Sequence, residues 1–387
     1  MLTSASNLPP LSLYIHFPWC IQKCPYCDFN SHKASGILPE NQYIDALLAD
    51  LAQDIAQFSE TRPIQSIFMG GGTPSLFSAQ HIQHLLEGVQ KQLDFADDIE
   101  ITLEANPGTF ESEKFTDYRA IGINRLSIGI QSFHEQHLKR LGRIHSAQEA
   151  IRAVTIAQQA GFENLNLDLM FGLPESSEQD SINDVRQAIT LQPSHISFYQ
   201  LTLEPNTYFH KYPPVLPEDD AIFNSQLACQ ELLAQHGYLQ YEISAYAQAD
   251  KQCSHNLNYW SFGDYLGIGA GAHGKITQNT PHNIVRTTKP KQPEQYLKQD
   301  KSKRFAHAIN SNDLALEFVM NNLRLKGGFS LDIYTQRTGL SAQTLEPALT
   351  HCLNQGLLVQ HQQQYYCSEK GWHFLDSILE KFLGSWC

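Results

Sequence analysis

In roughly the first 200 positions, two hydrophobic patterns take turns along the chain, one typical of strands and one typical of helices. Short, mostly apolar runs predict buried strands, and the stretches between them carry apolar residues at three- and four-residue spacing, as amphipathic helices do. The predicted strands cover residues 11–17, 64–69, 100–104, 125–130, 164–169 and 194–201. The predicted helices cover residues 41–58, 80–93, 111–120, 146–160 and 179–190. This alternation predicts parallel strands joined by crossover helices, with functional residues at the carboxyl ends of the strands.

The hydrophobic pattern changes after the sixth predicted strand. Residues 221–235 predict one more helix, and residues 241–245 predict a strand. Residues 253–274 are rich in aromatic residues, glycine and histidine, and this composition predicts a loop. The polar stretch 275–310, with scattered lysines and prolines, predicts a linker.

A helical pattern returns near the C-terminus and is followed by a hairpin pattern. The predicted helices cover residues 313–325, 331–338, 342–355 and 371–383, and the predicted hairpin covers residues 357–366. Helices combined with a hairpin predict a small winged-helix-like domain. We therefore divide the chain into an α/β domain (1–240), a motif-bearing segment with a linker (241–310) and a C-terminal domain (311–387).

Composition and charge narrow the functional classes. The 387 residues are 42% apolar and 17% charged, which is enough apolar material for two or three domain cores. The formal net charge of −13 argues against nucleic acid as the main partner, because phosphate backbones bind basic surfaces. Residues 1–10 lack a basic segment followed by an apolar one, and no run of about eighteen apolar residues occurs. We expect a cytoplasmic protein without a secretion signal or membrane span.

Three cysteines, Cys20, Cys24 and Cys27, follow the first predicted strand at C-x3-C-x2-C spacing. Three thiolates on one loop can hold three irons of a cubane iron–sulfur cluster, which leaves the fourth iron open to a small ligand. Two other interpretations compete. A structural zinc site usually closes with a fourth ligand, for which His32 is the nearby candidate. The three cysteines could also be unrelated, as the scattered remaining cysteines are.

A glycine-rich turn, Met69-Gly70-Gly71-Gly72-Thr73-Pro74, follows the second predicted strand. Taken alone, it predicts a tight strand-to-helix turn. Together with the cysteine loop, it resembles the radical S-adenosylmethionine (SAM) superfamily. That resemblance implies a partial (β/α)6 TIM-like barrel, a [4Fe–4S] cluster on Cys20, Cys24 and Cys27, and SAM on the fourth iron.

Polar residues also follow the third, fourth and fifth predicted strands. Taken alone, Glu104 could accept hydrogen bonds from ribose hydroxyls or an ammonium group, or it could be a helix cap or a solvated carboxylate. Arg143 and Asp168 could hold a carboxylate and an amine respectively, or they could form a structural ion pair. Their sequence surroundings resemble those of the oxygen-independent coproporphyrinogen III dehydrogenase (oxidase-like) family. That resemblance covers nearly the whole chain and implies SAM contacts, some of them to a second SAM molecule, at Tyr14, Gly71, Gly72, Thr73, Glu104, Gln131, Arg143 and Asp168.

Two features separate the chain from the dehydrogenase itself. Phe29 stands where the dehydrogenase has a fourth cysteine, and the dehydrogenase's N-terminal extension is missing. The sequence also contains H-N-x-x-Y-W, formed by His255, Asn256, Tyr259 and Trp260. A lone histidine among aromatics is usually a hydrogen-bonded core residue, but imidazole also binds haem iron and aromatic rings stack on porphyrin. This motif resembles the HemW family of haem chaperones, with Cys253 or His273 as a further candidate for haem attachment.

The HemW resemblance implies haem, a [4Fe–4S] cluster and SAM as ligands, and a haem-acceptor protein as partner. The acceptor is not identified by the sequence, and a membrane-bound respiratory component is one candidate. A coproporphyrinogen III dehydrogenase is the alternative function, and a binding module with a purely structural cluster is a third. The sequence leaves open whether the chain is an enzyme and whether it forms a homodimer.

Overall fold

The computed structural model describes residues 8–108, 112–279, 282–298 and 305–383. The strands in chain order are β1 Leu11–Phe17, β2 Trp19–Cys20, β3 His32–Lys33, β4 Ile64–Gly71, β5 Phe95–Ala105, β6 Arg125–Gln131, β7 Asn164–Phe171, β8 His195–Gln200, β9 Leu239–Glu242, β10 Ala245–Ala247, β11 Asp264–Ile268, β12 His273–Asn279, β13 His282–Thr288, β14 Phe305–Ala308, β15 Phe329–Ser330, β16 Leu358–His361 and β17 Gln364–Cys367. The α-helices are Glu40–Phe58, Ala79–Gln90, Phe115–Ala120, Glu135–Arg140, Ala147–Gln159, Glu178–Thr190, Tyr208–Lys211, Asp219–Gln235, Ser254–Trp260, Pro293–Leu297, Ser311–Asn322, Leu331–Thr338, Ala348–Asn354, Glu369–His373 and Leu375–Leu383.

The main sheet has twelve strands in the order β14-β13-β12-β11-β1-β4-β5-β6-β7-β8-β10-β9. Its middle, from β11 to β8, is parallel throughout, and antiparallel strands extend it at both ends. The six predicted strands correspond to β1 and β4–β8. The predicted α/β architecture of six strand–helix units is therefore confirmed. Since β14 and β9 are not paired with each other, the sheet is open and does not close into a barrel.

Strand β1 lies at the centre of the sheet and is buried on both faces. Leu11, Leu13, Ile15 and Phe17 on one face have no exposed surface, and Ser12 and His16 on the other face are also buried. Helix Glu40–Phe58 covers this part of the sheet with Tyr43, Ile44, Leu47 and Leu51. Burying one such side chain stabilises the fold by about 1.5–3 kcal/mol. The centre of the sheet is thus a rigid base for the loops at its carboxyl edge.

The expected loop over 253–274 is wrong. The segment contains helix Ser254–Trp260 and the fully buried strand β11, which pairs with β1. The helix has only seven residues, too few to display a helical period, and β11 contains Asp264 and Gly267, which interrupt its apolar run. Hydrophobic periodicity therefore predicts neither element.

The expected linker over 275–310 is also wrong for most of its length. It contains most of β12, all of β13 and β14, and helix Pro293–Leu297. Strands β12 and β13 pair along seven residues, and antiparallel strands at a sheet end can carry polar residues on their solvated face. Residues 280–281 and 299–304 of this expected linker lie outside the described residues. The division of the chain at residues 240 and 310 stays a prediction.

The C-terminal domain combines short helices with a three-stranded sheet in the order β15-β17-β16, and its winged-helix-like class is confirmed. Phe318 packs edge to face on Phe329, Tyr334 and, from the preceding segment, Phe262. The predicted helix 342–355 is divided into a 3-10 turn, Ala342–Leu345, and helix Ala348–Asn354. The predicted final helix is likewise two helices, broken near Phe374. Within the described ranges, no helix is long and apolar enough to cross a membrane.

Candidate functional site

The cysteine loop is held against the carboxyl end of β1 by short parallel pairing. Strand β2 ends at Cys20 and pairs with β3, and the backbone N–H of Ala34 donates to the carbonyl of Cys20 at 2.8 Å. The N–H of Cys27 donates to the carbonyl of Cys24 at 3.1 Å, which closes a tight turn. Cys20, Cys24 and Cys27 are free thiols with partly exposed side chains. The loop therefore presents three thiols on one side of the fold.

The three thiols lie close together, so their thiolate forms need positive charge nearby. Burial, with smaller effects from the neighbouring Cys27 and Cys24, raises the pKa of Cys20 to about 11. Three thiolates cannot share this loop without positive charge between them, and iron ions supply such charge. Arg143 Nη1 lies 3.6 Å from the Sγ of Cys24, and the Nζ of Lys23 donates to the carbonyl of Ser31 at 3.1 Å. The residues thus fit an iron–sulfur cluster.

The glycine turn at the end of β4 joins the cysteine loop through backbone contacts. The N–H of Gly72 donates to the carbonyl of Phe17 at 2.6 Å, and the N–H of Thr73 donates to the carbonyl of Trp19 at 2.8 Å. A Cβ on Gly72 would lie 2.5 Å from the Phe17 oxygen, and Gly71 has a φ of +101°. Both positions require glycine, because any side chain would push the turn off the cysteine loop.

Two half-buried carboxyl groups, Glu104 and Asp168, face the same space. The N–H of Gly71 donates to Oε2 of Glu104 at 3.1 Å. Burial, followed by the charge of Asp168, raises the pKa of Glu104 to about 8. Burial also raises the pKa of Asp168, against hydrogen bonds from Asn166 and Ser127. Such a pair of carboxyls suits a ligand that brings an ammonium group or hydroxyl donors.

Arg143 supplies positive charge to the space that the carboxyls of Glu104 and Asp168 face. Its Nη2 donates to Oδ1 of Asn106 at 2.8 Å and to the carbonyl of Gly129 at 2.6 Å. Gln131 has a φ of +73°, which is uncommon for a residue other than glycine, and its Oε1 accepts from the hydroxyl of Tyr199 at 2.8 Å. Asn106 and Tyr199 are not among the site residues predicted from the sequence, although Asn106 follows the third predicted strand and Tyr199 lies near the end of the sixth.

A cavity of about 480 Å³ brings these groups together. Its walls include all three loop cysteines and seven of the eight residues predicted to contact SAM: Gly71, Gly72, Thr73, Glu104, Gln131, Arg143 and Asp168. Tyr14, the eighth, lines the adjoining cavity instead and donates or accepts a 2.9 Å hydrogen bond with Nδ1 of His16. The cavity thus brings carboxyls, a guanidinium and thiols together on its walls, as a zwitterionic ligand on a cluster would require.

A second, larger cavity of about 900 Å³ adjoins the first. Its walls include the four motif residues: His255, Asn256, Tyr259 and Trp260. The two cavities share walls at Cys27, Phe29, Glu104 and Trp260. The motif on helix Ser254–Trp260 is therefore directly next to the cysteine loop, although more than two hundred residues separate them in sequence.

His255 is a buried, oriented imidazole. Its Nδ1 is 3.1 Å from Oγ of Ser66, and its ring lies on Phe68 with 5.2 Å between centroids. Burial, followed by the charge of Arg125, lowers the pKa of His255 to about 3. The imidazole is therefore neutral at physiological pH, which is the form that binds metals.

Glu100 fixes the start of the motif helix, a role that the sequence does not reveal. Its carboxylate accepts from the backbone N–H groups of Ser254 and His255, both at 3.0 Å. Cys253 donates to the same carboxylate at 3.4 Å, is fully buried and lines neither cavity. His273, by contrast, lines the larger cavity. Of the two candidates for a further haem contact, only His273 faces the space next to His255.

The sequence matches two family models. The model described as "Radical SAM superfamily" matches residues 14–188, and the model described as "HemN C-terminal domain" matches residues 309–374. A solved structure described as "Coproporphyrinogen III oxidase (HemN) from Escherichia coli is a Radical SAM enzyme" superposes with a TM-score of 0.81 at 22% identity, covering 97% of this chain and 91% of that one. The expected radical SAM fold class, with a HemN-type C-terminal domain, is confirmed.

Curated relatives match over nearly their whole length. The heme chaperone HemW of Escherichia coli (strain K12) is 50% identical over 377 residues, which are 97% of this chain and 99% of that protein. HemW of Haemophilus influenzae is 50% identical over 380 residues, with the same coverage of both chains. HemW of Bacillus subtilis (strain 168) is 31% identical over 384 residues, 96% of this chain and 99% of that protein.

Proposed function

The chain belongs to the HemW family of the radical SAM superfamily, and on this basis we propose that it is a cytoplasmic haem chaperone. It binds haem and passes it to an acceptor protein. The observation that carries the proposal is that His255, Asn256, Tyr259 and Trp260 line a cavity of about 900 Å³ next to the cysteine loop. The relatives' name of heme chaperone supports the same function.

The larger cavity has the chemistry that a haem requires. Haem needs an imidazole for iron, flat apolar contacts for the porphyrin faces and cations for the propionates. His255 offers the imidazole, and because Ser66 occupies Nδ1, Nε2 is the nitrogen available to iron. Tyr259 and Trp260 offer aromatic surface, and Lys291 on the cavity wall offers a cation.

The smaller cavity is proposed to hold SAM on a [4Fe–4S] cluster bound by Cys20, Cys24 and Cys27. When bound, a cluster with SAM on its fourth iron supplies one-electron chemistry. The protein contributes binding and orientation. Glu104 and Asp168 offer oxygen acceptors to an ammonium group and ribose hydroxyls, and Arg143 offers a guanidinium to a carboxylate. Gly71, Gly72 and Thr73 would let SAM approach the backbone closely. Gln131 offers a polar side chain in the wall of the same cavity, and Tyr14 offers a contact from the larger cavity.

The alternative function, coproporphyrinogen III dehydrogenase, has no specific support. The solved dehydrogenase-family structure is only 22% identical and therefore supports the shared fold alone. Phe29 stands at the position of that enzyme's fourth cysteine, and its exposed ring lines both cavities without a metal-binding atom.

The partner is proposed to be an apo-haem protein, with a membrane-bound respiratory component as one candidate. Homodimer formation stays a prediction. Because the chain carries a net charge of −13, nucleic acid is not proposed as a partner.

The experiment that tests the function is a haem-transfer assay under anaerobic conditions. Cluster-reconstituted protein is loaded with haem and mixed with increasing amounts of an apocytochrome b, and haem arrival is followed by its absorption. A chaperone hands haem over during an encounter, so the transfer rate should rise with acceptor concentration. A rate that is independent of acceptor concentration would indicate passive release and would contradict the proposal.

A further inference from the structure

Two histidines and an aspartate lie together away from both cavities. The donor atoms of His134, His137 and Asp180 are all within 4.8 Å of one another. His134 and His137 belong to the loop and helix after β6, and Asp180 belongs to the first turn of the helix after β7. None of the three lines the cavity of the cysteine loop or the cavity of the haem motif. The cluster therefore plays no part in the function proposed so far.

His137 is unusual among the buried histidines. Its side chain is 3% exposed, and neither ring nitrogen has a hydrogen-bond partner among the described residues. Its Nε2 lies 3.6 Å from Oδ2 of Asp180, beyond hydrogen-bond length. Buried polar atoms are nearly always paired in native structures, so an unpaired imidazole facing a carboxylate indicates a missing partner.

The spacing of these groups suits a shared metal ion. Nitrogen and oxygen ligands lie roughly 2.0–2.2 Å from zinc, so two ligands at a tetrahedral angle are roughly 3.4 Å apart. The 3.6 Å distance between His137 and Asp180 is close to that separation. The ring of His134 is 4.6 Å from that of His137, centroid to centroid, and is exposed, so a small side-chain rotation can complete the set.

The carboxylate of Asp180 is already oriented by its neighbours. Asp180 Oδ2 accepts from the N–H of Ser177 at 2.8 Å and from its hydroxyl at 2.7 Å, which fixes the carboxylate. Hydrogen bonds to a ligating carboxylate are typical of metal sites, where they hold the ligand in place.

We propose that His134, His137 and Asp180 form a zinc site, with the fourth position open to water on the exposed side of His134. The ion would tie helix Glu135–Arg140 to helix Glu178–Thr190. The first of these helices leads directly into Arg143, which contacts Cys24. Zinc would thus hold the segment that carries Arg143 against the cysteine loop.

The test measures zinc in anaerobically reconstituted protein, whose loop cysteines are occupied by the iron–sulfur cluster. Protein is incubated with zinc and desalted, and zinc is quantified by mass spectrometry. Wild type should retain a single zinc ion per chain. The His137→Asn variant should bind zinc at least about tenfold more weakly, because losing a ligand costs no less than losing a ligand's hydrogen-bond partner. His84→Asn is the matched control, because His84 also lies near a carboxylate, Asp45, but is exposed.

Two further measurements keep the proposal open to contradiction. His134→Ala changes an exposed residue and should lose zinc even if His137→Asn destabilises the fold. Cobalt substituted for zinc should show the visible bands of nitrogen and oxygen ligands. Equal zinc retention in wild type and both site variants would overturn the proposal, as would a strong thiolate-to-cobalt band in the near ultraviolet, which would place the metal on cysteines.

Discussion

At the scale of single residues, the surroundings of His255 keep its imidazole neutral and oriented. Its pKa is lowered to about 3 by burial, so the ring keeps a free lone pair at every physiological pH. Ser66 is within hydrogen-bond distance of Nδ1, and Phe68 lies against the ring face. A histidine in a cavity wall with one nitrogen held suits the proposed role of haem ligand, whereas an ordinary core histidine has both nitrogens paired.

Ser66→Ala should weaken haem binding by about tenfold, because the imidazole loses the hydrogen bond that orients it. Haem affinity is measured by absorption titration of the reconstituted protein. Ser225→Ala provides the control, since Ser225 is a buried serine whose hydroxyl bonds only within its own helix. If Ser66→Ala and Ser225→Ala bind haem with equal affinity, Ser66 does not orient the ligand.

Site residues could be predicted from the sequence where they lie within one short motif. The cysteines, the glycine turn and the H-N-x-x-Y-W residues are short segments with distinctive spacing. Ser66, Glu100, Asn106 and Tyr199 act through contacts between distant segments, and nothing in their immediate sequence marks them. Such residues become visible only when the fold places their partners beside them.

At the scale of elements, the short helix Ser254–Trp260 depends on strand β5. A seven-residue helix is marginal on its own, and its first N–H groups need acceptors. Glu100 supplies a carboxylate to two of them, where the positive end of the helix also favours negative charge. The position of all four motif residues therefore depends on a residue that touches neither cavity.

Glu100→Gln should lower stability by about 1–3 kcal/mol, because the neutral amide offers one acceptor to two donors and leaves a buried N–H unpaired. Haem affinity should fall as well, since the motif helix loses its anchor. Urea unfolding and haem titration measure the two effects. An exposed glutamate at a helix start, Glu369→Gln, is the control. Unchanged haem affinity in Glu100→Gln would show that the helix does not need this cap.

The elements missed by the sequence analysis share a physical cause. Strand β11 and the motif helix are too short to establish a period, and β12 and β13 are polar because they lie towards the end of the sheet. Their structure comes from pairing with β1 and with each other, a tertiary effect that local patterns do not carry. The long amphipathic helices and the buried parallel strands were predicted because burial alone determines their pattern.

At the scale of the whole molecule, two sets of contacts join the segment that carries the motif to the rest. Asp264, at the start of β11, accepts from Arg62 and Lys275, each at 2.8 Å. On the other side, the guanidinium of Arg324 lies 4.3 Å from the ring centre of Trp260 and 3.4 Å from Glu242. The α/β sheet and the C-terminal domain thus both hold the wall of the larger cavity.

Asp264→Asn should destabilise the protein by about 3–5 kcal/mol, because Lys275 is left as a buried cation without a counter-charge. The pKa of Asp264 is lowered below its ordinary value of 3.8, with Lys275 and Arg62 overcoming the opposing effect of burial. The carboxylate therefore stabilises the fold above pH 3.8 and loses this effect as the pH falls through its lower folded pKa.

Urea unfolding between pH 3 and pH 7 measures both effects. Wild type should lose part of its stability at the acidic end, and Asp264→Asn should lack that part of the pH dependence. Asp332→Asn, an exchange at an exposed position in a C-terminal helix, is the control. Equal stability of wild type and Asp264→Asn at pH 7 would contradict the role of this ion network.

The most direct test of the central claim is an absorption titration of haem into reconstituted wild type, His255→Ala and His236→Ala. His236 is an exposed histidine that lines neither cavity, so its variant reports on incidental haem binding. We predict a saturable haem complex in wild type and His236→Ala and an affinity at least about tenfold weaker in His255→Ala. Equal affinity in all three proteins would place haem elsewhere and contradict the account.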